Sequence, residues 1–244
     1  MKAMIFAAGM GTRLKPLTDT MPKALVPVAG KPLLQHVIEK LKNAGFDEII
    51  INIHHFGDQI IDFVASENQF NIRIEFSDER EKLLDTGGGI KKAAWFFDDN
   101  KPFLVHNVDI LSNIDLSELY TTHIRGNSPG TLVCSDRETS RYLLFDSEHH
   151  LKGWFNKKTG ETKSPVPSLQ PAHYQKLAFS GIHILHPSIF NHMQDLPDRF
   201  PIIDFYLSLC DREKITCFIP KELKMMDVGK LNSLEEAERF LYRL

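Results

Sequence analysis

The chain has 244 residues, of which 42% are hydrophobic and 25% charged, a composition that suits one globular domain with a sizeable core. Its net charge of −3 excludes the strong basic field of nucleic-acid and anionic-membrane binders, so we expect neither partner. Three cysteines (Cys134, Cys210 and Cys217) without CxxC spacing indicate neither a disulfide framework nor a structural zinc site. The short apolar start and the lack of any run near ~18 apolar residues predict a cytoplasmic protein.

The first half of the chain alternates buried strands with helices, the pattern of an α/β fold with a mostly parallel sheet. The strands are expected over 2–8, 48–53, 71–76 and 102–110. The helices are expected from Pro32 to Gly45, over 58–64, and over 89–97 after a triple glycine. Asp115 and Glu118 have the spacing of a capping box, which predicts a further helix from that point.

The second half is less regular. Strands are expected over 131–135, 142–146, 178–185 and 215–219, and the polar, proline-bearing stretch 157–175 indicates a mobile loop. Ser233 and Glu236 form another capping-box pattern, which begins a final helix with an apolar face for docking (Leu234, Ala237, Phe240, Leu241 and Leu244). We therefore predict a single domain over 1–244, with one part over about 1–112 and a second part over about 113–244 that contains a small lobe and the rest of the sheet.

A glycine-rich turn, Gly9-Met10-Gly11-Thr12-Arg13-Leu14, follows the first strand. Glycines there let backbone N–H groups approach an anion, and ligands of open α/β sheets bind beyond the carboxyl ends of the strands. The turn is neither a dinucleotide-binding GxGxxG, which would need glycine at Leu14, nor a Walker loop. Arg13 and Lys23 are either phosphate-binding cations or ordinary surface residues, and their place beside this turn favours phosphate binding.

The segment Gly9-Met10-Gly11-Thr12-Arg13, followed by Pro22-Lys23, resembles the signature of the sugar-nucleotide pyrophosphorylases, or sugar-1-phosphate nucleotidyltransferases. Members of that family join a nucleoside triphosphate to a sugar 1-phosphate and release pyrophosphate. The similarity continues through 27–32, 86–89, 107–109 and 227–229, and therefore covers nearly the whole chain. The chain resembles the short form without a β-helix tail, which includes uridylyltransferases of N-acetylmuramate 1-phosphate and proteins like mannose-1-phosphate guanylyltransferase.

The resemblance implies a three-layer, Rossmann-like α/β nucleotidyltransferase fold with a mostly parallel mixed sheet and a small substrate-binding lobe. The part over about 1–112 would bind the nucleotide, and the part over about 113–244 would contain the sugar-phosphate lobe and the remaining sheet. The implied nucleotide-binding residues are Ala8, Gly9, Met10, Gly11, Thr12, Arg13, Lys23 and Gly88. Gly88 would pack its backbone against the base or the ribose.

The resemblance also implies the catalytic, metal-binding and sugar-binding residues. Arg13, Lys23 and Asp109 would be catalytic, and Asp109 and Asp227 would bind Mg²⁺. Mg²⁺ prefers one or two carboxylates with phosphate oxygens and water, although each aspartate taken alone could equally be a turn or capping residue. The implied contacts to the sugar phosphate are Asn107, Gly181 and Lys157. Many relatives hold the sugar phosphate with a Glu-Lys-Pro segment, which is absent here. Lys157 would make that contact, and the alternative interpretation is that it is an exposed loop lysine.

The expected substrates are a nucleoside triphosphate, UTP or GTP, and a sugar 1-phosphate such as N-acetylmuramate 1-phosphate or mannose 1-phosphate. We expect a monomer or a small homo-oligomer. Three alternatives stay open at this point. A phosphocholine cytidylyltransferase would need an aromatic cage for a quaternary ammonium. A nucleotide-sugar-dependent glycosyltransferase would consume the product, and a non-catalytic nucleotide or nucleotide-sugar sensor would not need the whole set of Arg13, Lys23, Asp109 and Asp227.

Overall fold

The computed structural model describes residues 1–244, with fourteen strands and six α-helices. The strands are β1 (Lys2–Phe6), β2 (Pro27–Val28), β3 (Lys31–Pro32), β4 (Glu48–Ile53), β5 (Arg73–Asp78), β6 (Phe103–Asn107), β7 (Ile110–Ser112), β8 (Gly130–Ser135), β9 (Arg141–Phe145), β10 (Leu151–Asn156), β11 (Thr162–Lys163), β12 (Gln175–Leu185), β13 (Thr216–Phe218) and β14 (Met225–Asp227). The helices are α1 (Leu33–Asn43), α2 (Gly57–Ser66), α3 (Asp85–Lys92), α4 (Leu116–Gly126), α5 (Ile202–Leu209) and α6 (Leu234–Leu241).

One ten-stranded mixed sheet organises the molecule. Along its main path the strand order is β11-β10-β9-β12-β6-β1-β4-β5; off this path, β8 pairs with β12, and β13 pairs with β8. The four strands β6, β1, β4 and β5 are mutually parallel, with Ala3 opposite Ile49 on one side and Leu104 on the other. β12 is antiparallel to β6. The carboxyl ends of β1 and β6 therefore lie side by side, which is where the predicted turn and Asp109 emerge.

The core consists of two apolar layers on opposite faces of the sheet. Along β4, Ile49, Ile51 and Ile53 belong to a cluster of 32 buried residues, whereas Ile50 belongs to a second cluster of 25. This alternation is the period of two that a strand buried on both faces requires. Helices α1, α2, α4 and α6 contribute to the first cluster, and α3 and α5 to the second. The arrangement is therefore three-layered, and the predicted α/β fold class is confirmed.

Two helix predictions need correction. The helix expected over 89–97 begins at Asp85 instead, so the triple glycine lies inside α3. Glycine is a poor helix former, but packing of Gly87 and Gly88 against the segment around Phe200 overrides that preference. The helix expected from Pro32 begins at Leu33, because Lys31–Pro32 pairs as a short strand with β2.

Two polar features near the C-terminal half also differ from expectation. Ser233 does not cap α6, since its hydroxyl donates to the Lys230 carbonyl at 2.5 Å. The stretch 157–175, expected to be an irregular loop, contains β11 and a 3₁₀ turn over Pro171–His173.

Asp115 caps α4 as predicted, because its carboxylate accepts hydrogen bonds from the N–H groups of Ser117 and Glu118 at 2.9 Å. On the docking face of α6, Ala237 is buried but Leu244 is exposed. None of the helices combines the length and apolar character that a membrane span needs.

Candidate active site

The glycine-rich turn leaves β1 at the edge of the sheet and is tightly folded. Gly11 has φ +61°, and a Cβ there would lie 2.8 Å from Cγ2 of Thr18 and 3.0 Å from Cβ of Lys23. The Gly11 carbonyl accepts hydrogen bonds from the Leu14 N–H and the Thr18 hydroxyl, both at 2.8 Å. The N–H groups of Gly9, Met10 and Gly11 have no acceptor within the chain. The turn thus offers a row of free backbone donors, which is the usual cradle for phosphate.

A buried polar pair, which the sequence analysis missed, supports this turn from below. Oδ1 of Asn52 accepts hydrogen bonds from the N–H groups of Ala7 at 2.7 Å and of Ala8 at 3.2 Å. Its Nδ2 donates a hydrogen bond to Oε1 of Glu79 at 2.8 Å. The other Glu79 oxygen accepts the Leu84 N–H at 3.0 Å. Both side chains are buried, and their hydrogen bonds satisfy polar groups that would otherwise be costly there. The sequence held one sign of this pair, because Asn52 is the only polar residue in the apolar strand from Ile49 to Ile53.

Two carboxylates and two cations meet where β6 ends. Lys23 forms an ion pair with Asp109, and their side chains are only 10% and 20% exposed. The Val228 N–H donates to the Asp109 carbonyl at 2.8 Å, which brings the end of β14 and its Asp227 to this point. A Cβ on Gly229 would lie 2.7 Å from Oδ1 of Asp227 and 2.9 Å from Nη2 of Arg13.

The charges around Asp227 show that these four side chains share one electrostatic environment. Partial desolvation raises the pKa of the Asp227 carboxyl above its usual range, and the negative charge of Asp109 raises this pKa further. Lys23 and Arg13 oppose that rise. Two neighbouring carboxylates that repel one another in this way are the donor set that a hard divalent cation stabilises. No group of three or more metal-ligating side chains occurs in the chain.

A cavity of about 440 Å³ opens over the turn. Its walls contain nearly all the predicted nucleotide and catalytic residues, together with several that were not predicted. The lining residues are Phe6, Ala7, Ala8, Gly9, Met10, Gly11, Thr12, Arg13, Lys23, Asn52, Glu79, Leu83, Asp85, Thr86, Asn107, Val108, Asp109, Arg199 and Gly229. The cavity thus brings residues 8–13 together with Lys23, Asn107 and Asp109, and Asp227 borders it through Gly229.

Besides Asp227, three predicted site residues lie outside this lining. Gly88 faces the Asp198 carbonyl, which an added Cβ would overlap, so it seats another segment of chain and does not face the cavity. Thr86, two positions earlier, lines the cavity in its place. Lys157 is exposed and is paired with Glu138 at 3.2 Å. Gly181 lies behind the wall, where a Cβ would approach Nδ2 of Asn107 to 2.6 Å.

A second groove, of about 570 Å³, lies beside the cavity and belongs to the C-terminal half of the chain. Its aromatic walls are Tyr142, Trp154 and Phe179, and the cations Arg137, Arg141 and Lys163 stand around them. The segment 199–204 connects the two depressions, since Arg199 lines the cavity whereas Pro201, Ile203 and Asp204 line the groove. The second groove therefore has the position expected for the substrate that reacts with a nucleotide held over the turn.

The model of the nucleotidyl transferase family matches residues 2–243. The chain belongs to this family. The protein is therefore an enzyme, and the family recognised in the sequence is confirmed. Members of this family generally use a divalent metal. The two carboxylates at the end of β6 fit that requirement.

Relatives of known activity match over most of the chain. The N-acetylmuramate alpha-1-phosphate uridylyltransferase of Caulobacter vibrioides is 42% identical over 234 residues, which are 93% of this chain and 91% of that protein. The mannose-1-phosphate guanyltransferase of Aspergillus fumigatus is 38% identical over 212 residues, which are 83% of this chain but 56% of that longer protein. The fold is similar to that of the UDP-glucose pyrophosphorylase from Acinetobacter baumanii, with a TM-score of 0.77, 17% identity and coverage of 97% and 91% of the two chains.

Proposed function

We propose that this nucleotidyltransferase joins UTP or GTP to a sugar 1-phosphate and releases pyrophosphate, with Mg²⁺ as its metal. The observation that carries the proposal is the meeting of the glycine-rich turn, the Lys23–Asp109 ion pair and Asp227 at one edge of the sheet. Phosphoryl-type transfer is catalysed mainly by positioning the reactants and by neutralising charge, and this site supplies both.

Each group of the site has a task in this reaction. The free N–H groups of residues 9–11 bind the triphosphate, and Arg13 offers a planar fork to its oxygens. Lys23 stabilises negative charge at the reacting phosphates. Asp109 and Asp227 would hold Mg²⁺, which neutralises phosphate charge when bound. An oxygen of the sugar phosphate attacks the α-phosphorus in line, and needs no general base because its second pKa is about 6.

The second groove supports an acidic sugar as the acceptor. Three cations (Arg137, Arg141 and Lys163) and two carboxylates (Glu161 and Asp204) line it, so its side chains carry one net positive charge. Asp204 is paired with Lys163 at 3.4 Å. N-acetylmuramate 1-phosphate carries a carboxylate in addition to its phosphate, whereas mannose 1-phosphate does not. The cationic groove, together with the 42% identity to the Caulobacter enzyme, favours N-acetylmuramate 1-phosphate and therefore UTP.

The same groove argues against phosphocholine as the acceptor. A quaternary ammonium binds to aromatic faces that are free of other cations. Here Lys163 already lies over the Trp154 ring, with its Nζ 5.4 Å from the ring centroid. Nearby Arg137 and Arg141 add further like charge.

The test is pyrophosphate release from purified protein with each of the four ribonucleoside triphosphates and a panel of sugar 1-phosphates, with phosphocholine included. We expect release with UTP and N-acetylmuramate 1-phosphate, and loss of the signal when EDTA removes the metal. The Asp109→Asn variant should be inactive, whereas the matched variant Asp62→Asn, on the outer side of α2, should behave as the wild type. Release only with CTP and phosphocholine would reject the proposal, and no release with any pair would favour a nucleotide sensor.

A further inference from the structure

The second groove has two ends, and β12 shows which of them lies nearer the cavity. A Cβ on Gly181 of this strand would lie 2.6 Å from Nδ2 of Asn107, which lines the cavity. Phe179 lines the groove and is two residues before Gly181, at most about 7 Å along the strand. Two residues further back, Leu177 pairs with Leu143 of β9. The groove therefore begins at Phe179, about the length of one sugar unit from the cavity wall.

Arg141 lies at this nearer end of the groove. It is two residues from Leu143 on β9 and, because β9 and β12 are antiparallel, it lies at the same end of the Leu177–Leu143 pair as Phe179. In the next strand, β10, Asn156 is paired with Arg141 in register. Phe179, Arg141 and Asn156 all line the groove. The nearer end thus combines an aromatic ring, a guanidinium and an amide, with the arginine on the central strand of the three.

Of the three groove cations, Arg141 is the one whose charged group has no partner in the protein. The Lys163 ammonium pairs with the Asp204 carboxylate at 3.4 Å. Arg137 donates a hydrogen bond through Nη2 to the Phe179 carbonyl at 3.1 Å. The Arg141 guanidinium forms neither an ion pair nor a hydrogen bond within the chain, and the contacts of this residue are those of its backbone. Its five N–H donors are therefore available to a ligand.

The carboxylates of the groove do not neutralise Arg141. Asp204 is engaged with Lys163, which leaves Glu161. The Asn156 N–H donates to the Glu161 carbonyl at 2.8 Å, so Glu161 lies on the β11 side of β10, whereas Arg141 lies on the β9 side. Their backbones are therefore two strand spacings apart, about 10 Å. The nearer end of the groove carries an unpaired positive charge, which suits an anionic group of a ligand.

The distance from the reacting centre decides which anionic group reaches Arg141. In the proposed reaction the phosphate of the acceptor meets the nucleotide at Asp109 and Asp227 in the cavity, whereas Arg141 lies about one sugar unit further out. Burial raises the pKa of the Asp227 carboxyl, and the charge of Arg137 is among those that oppose the rise, so this end of the groove faces the reacting centre. A substituent of the sugar ring therefore lies at Arg141. A guanidinium binds a planar carboxylate through two parallel N–H donors.

We propose that Arg141 binds a carboxylate carried by the sugar ring of the acceptor, and that this contact selects acidic sugar 1-phosphates over uncharged ones. The inference rests on the proposed function, because it assigns a specificity-determining residue to the second substrate of that reaction. The lactyl carboxylate of N-acetylmuramate 1-phosphate is a group of this kind. Asn156 offers its amide to polar groups beside the carboxylate, and Phe179 offers an apolar wall to the ring.

The first experiment measures binding and does not depend on turnover. N-acetylmuramate 1-phosphate and its lactyl carboxamide, which has nearly the same shape without the charge, are titrated calorimetrically into the protein in Mg²⁺, with and without the α,β-methylene analogue of UTP. The wild type should bind the carboxylate about 10- to 100-fold more tightly than the amide, as for a charge-assisted bidentate contact. Arg141→Gln should bind the two ligands within about twofold of each other, because the group that distinguishes them is gone. Arg141→Lys should be intermediate, because it keeps the charge but not the planar fork.

Two further variants are the controls. Lys163→Gln removes a cation of the same groove that already has a partner, and Arg125→Gln removes an exposed arginine on α4 outside the cavity and the groove. Both variants should keep the preference for the carboxylate, and circular dichroism and thermal unfolding verify that each protein is folded. A wild type that binds neither ligand or binds both equally would overturn the inference. So would a preference that survives in Arg141→Gln or is lost in Lys163→Gln.

Pyrophosphate release separates this inference from the proposed function. Arg141→Gln should raise the KM for N-acetylmuramate 1-phosphate about 10- to 100-fold and leave kcat and the nucleotide KM nearly unchanged. The KM for N-acetylglucosamine 1-phosphate, which lacks the lactyl group, should be the same in both proteins. Turnover of the acidic sugar with equal KM in wild type and Arg141→Gln would overturn the inference and leave the proposed function standing. A binding preference that Arg141→Gln abolishes, without pyrophosphate release from any substrate pair, would support the inference and reject the proposed function.

Discussion

Replacement of Lys23 by alanine tests the centre of the site most directly. The Lys23 side chain is 10% exposed and pairs with Asp109, which is 20% exposed, so water screens their charges poorly. Loss of one preorganised electrostatic contact in such a site costs about 2.7–4 kcal/mol in the transition state. We therefore expect kcat to fall by about 10²- to 10³-fold.

The same substitution should leave the fold intact at moderate cost. Removing one partner of a fully buried ion pair costs about 3–5 kcal/mol, and Asp109 is partly exposed, so we expect a loss near 2 kcal/mol. Asp227 raises this loss, because its carboxylate repels the unpaired Asp109. Added Mg²⁺ should recover part of the stability, since a cation bound between the carboxylates replaces the missing positive charge.

The assay is pyrophosphate release at saturating substrates, with urea unfolding measured on the same preparations. Lys15→Ala is the matched control, because Lys15 belongs to the same loop but is 60% exposed and pairs with the exposed Asp19. Exposed pairs of this kind contribute about 0–1 kcal/mol. A kcat for Lys23→Ala within about threefold of that for Lys15→Ala would refute our interpretation of the ion pair as part of the catalytic site.

Three further predictions concern the buried residues Asn52, Gly181 and His183. Asn52→Leu should lower the free energy of unfolding by about 2–3 kcal/mol in urea titrations, because it leaves the Ala7 and Ala8 N–H groups and Oε1 of the buried Glu79 without a partner. Gly181→Ala should raise the KM for the sugar 1-phosphate, because φ is +73° and a Cβ would press on Asn107, whereas Gly126→Ala should have no effect. Burial lowers the pKa of His183 from 6.5 to about 3, so the unfolded chain binds its proton first and stability falls as the pH drops below about 6.5. His183→Leu should therefore reduce the stability lost between about pH 7.5 and 5.5 by about 1.4 kcal/mol.

Each of these predictions has an outcome that contradicts it. An unchanged urea midpoint for Asn52→Leu would show that the turn does not depend on this buried pair. Equal kinetics of Gly181→Ala and Gly126→Ala would show that Gly181 does not position Asn107 for substrate binding. A wild-type pH dependence in His183→Leu would mean that His183 is not neutral in the folded protein.

The sequence alone was sufficient for the features whose cause is local. The apolar run of β1, the spacing of apolar residues in α1 and the Asp115 cap each depend on a few neighbouring residues. The glycine-rich turn is also local, because Gly9 and Gly11 directly follow the strand that they leave. Asp109 and Asp227 came from the family resemblance, and the pairing of β14 with β7 then brings them together.

The tertiary structure alone decided the contacts between residues far apart in the chain. Residues 198–202 pack against α3, although the two segments are more than 100 positions apart in the chain. This packing keeps Gly87 and Gly88 inside a helix despite the low helix propensity of glycine. The same packing brings Arg199 to the cavity, whereas Lys157 lies outside it, exposed and paired with Glu138. Asn52 and Glu79 acquire a function only because β4 and β5 end beside the turn that follows β1. Such contacts depend on the sheet order and on the paths of the connecting segments, which local patterns of apolar and polar residues do not encode.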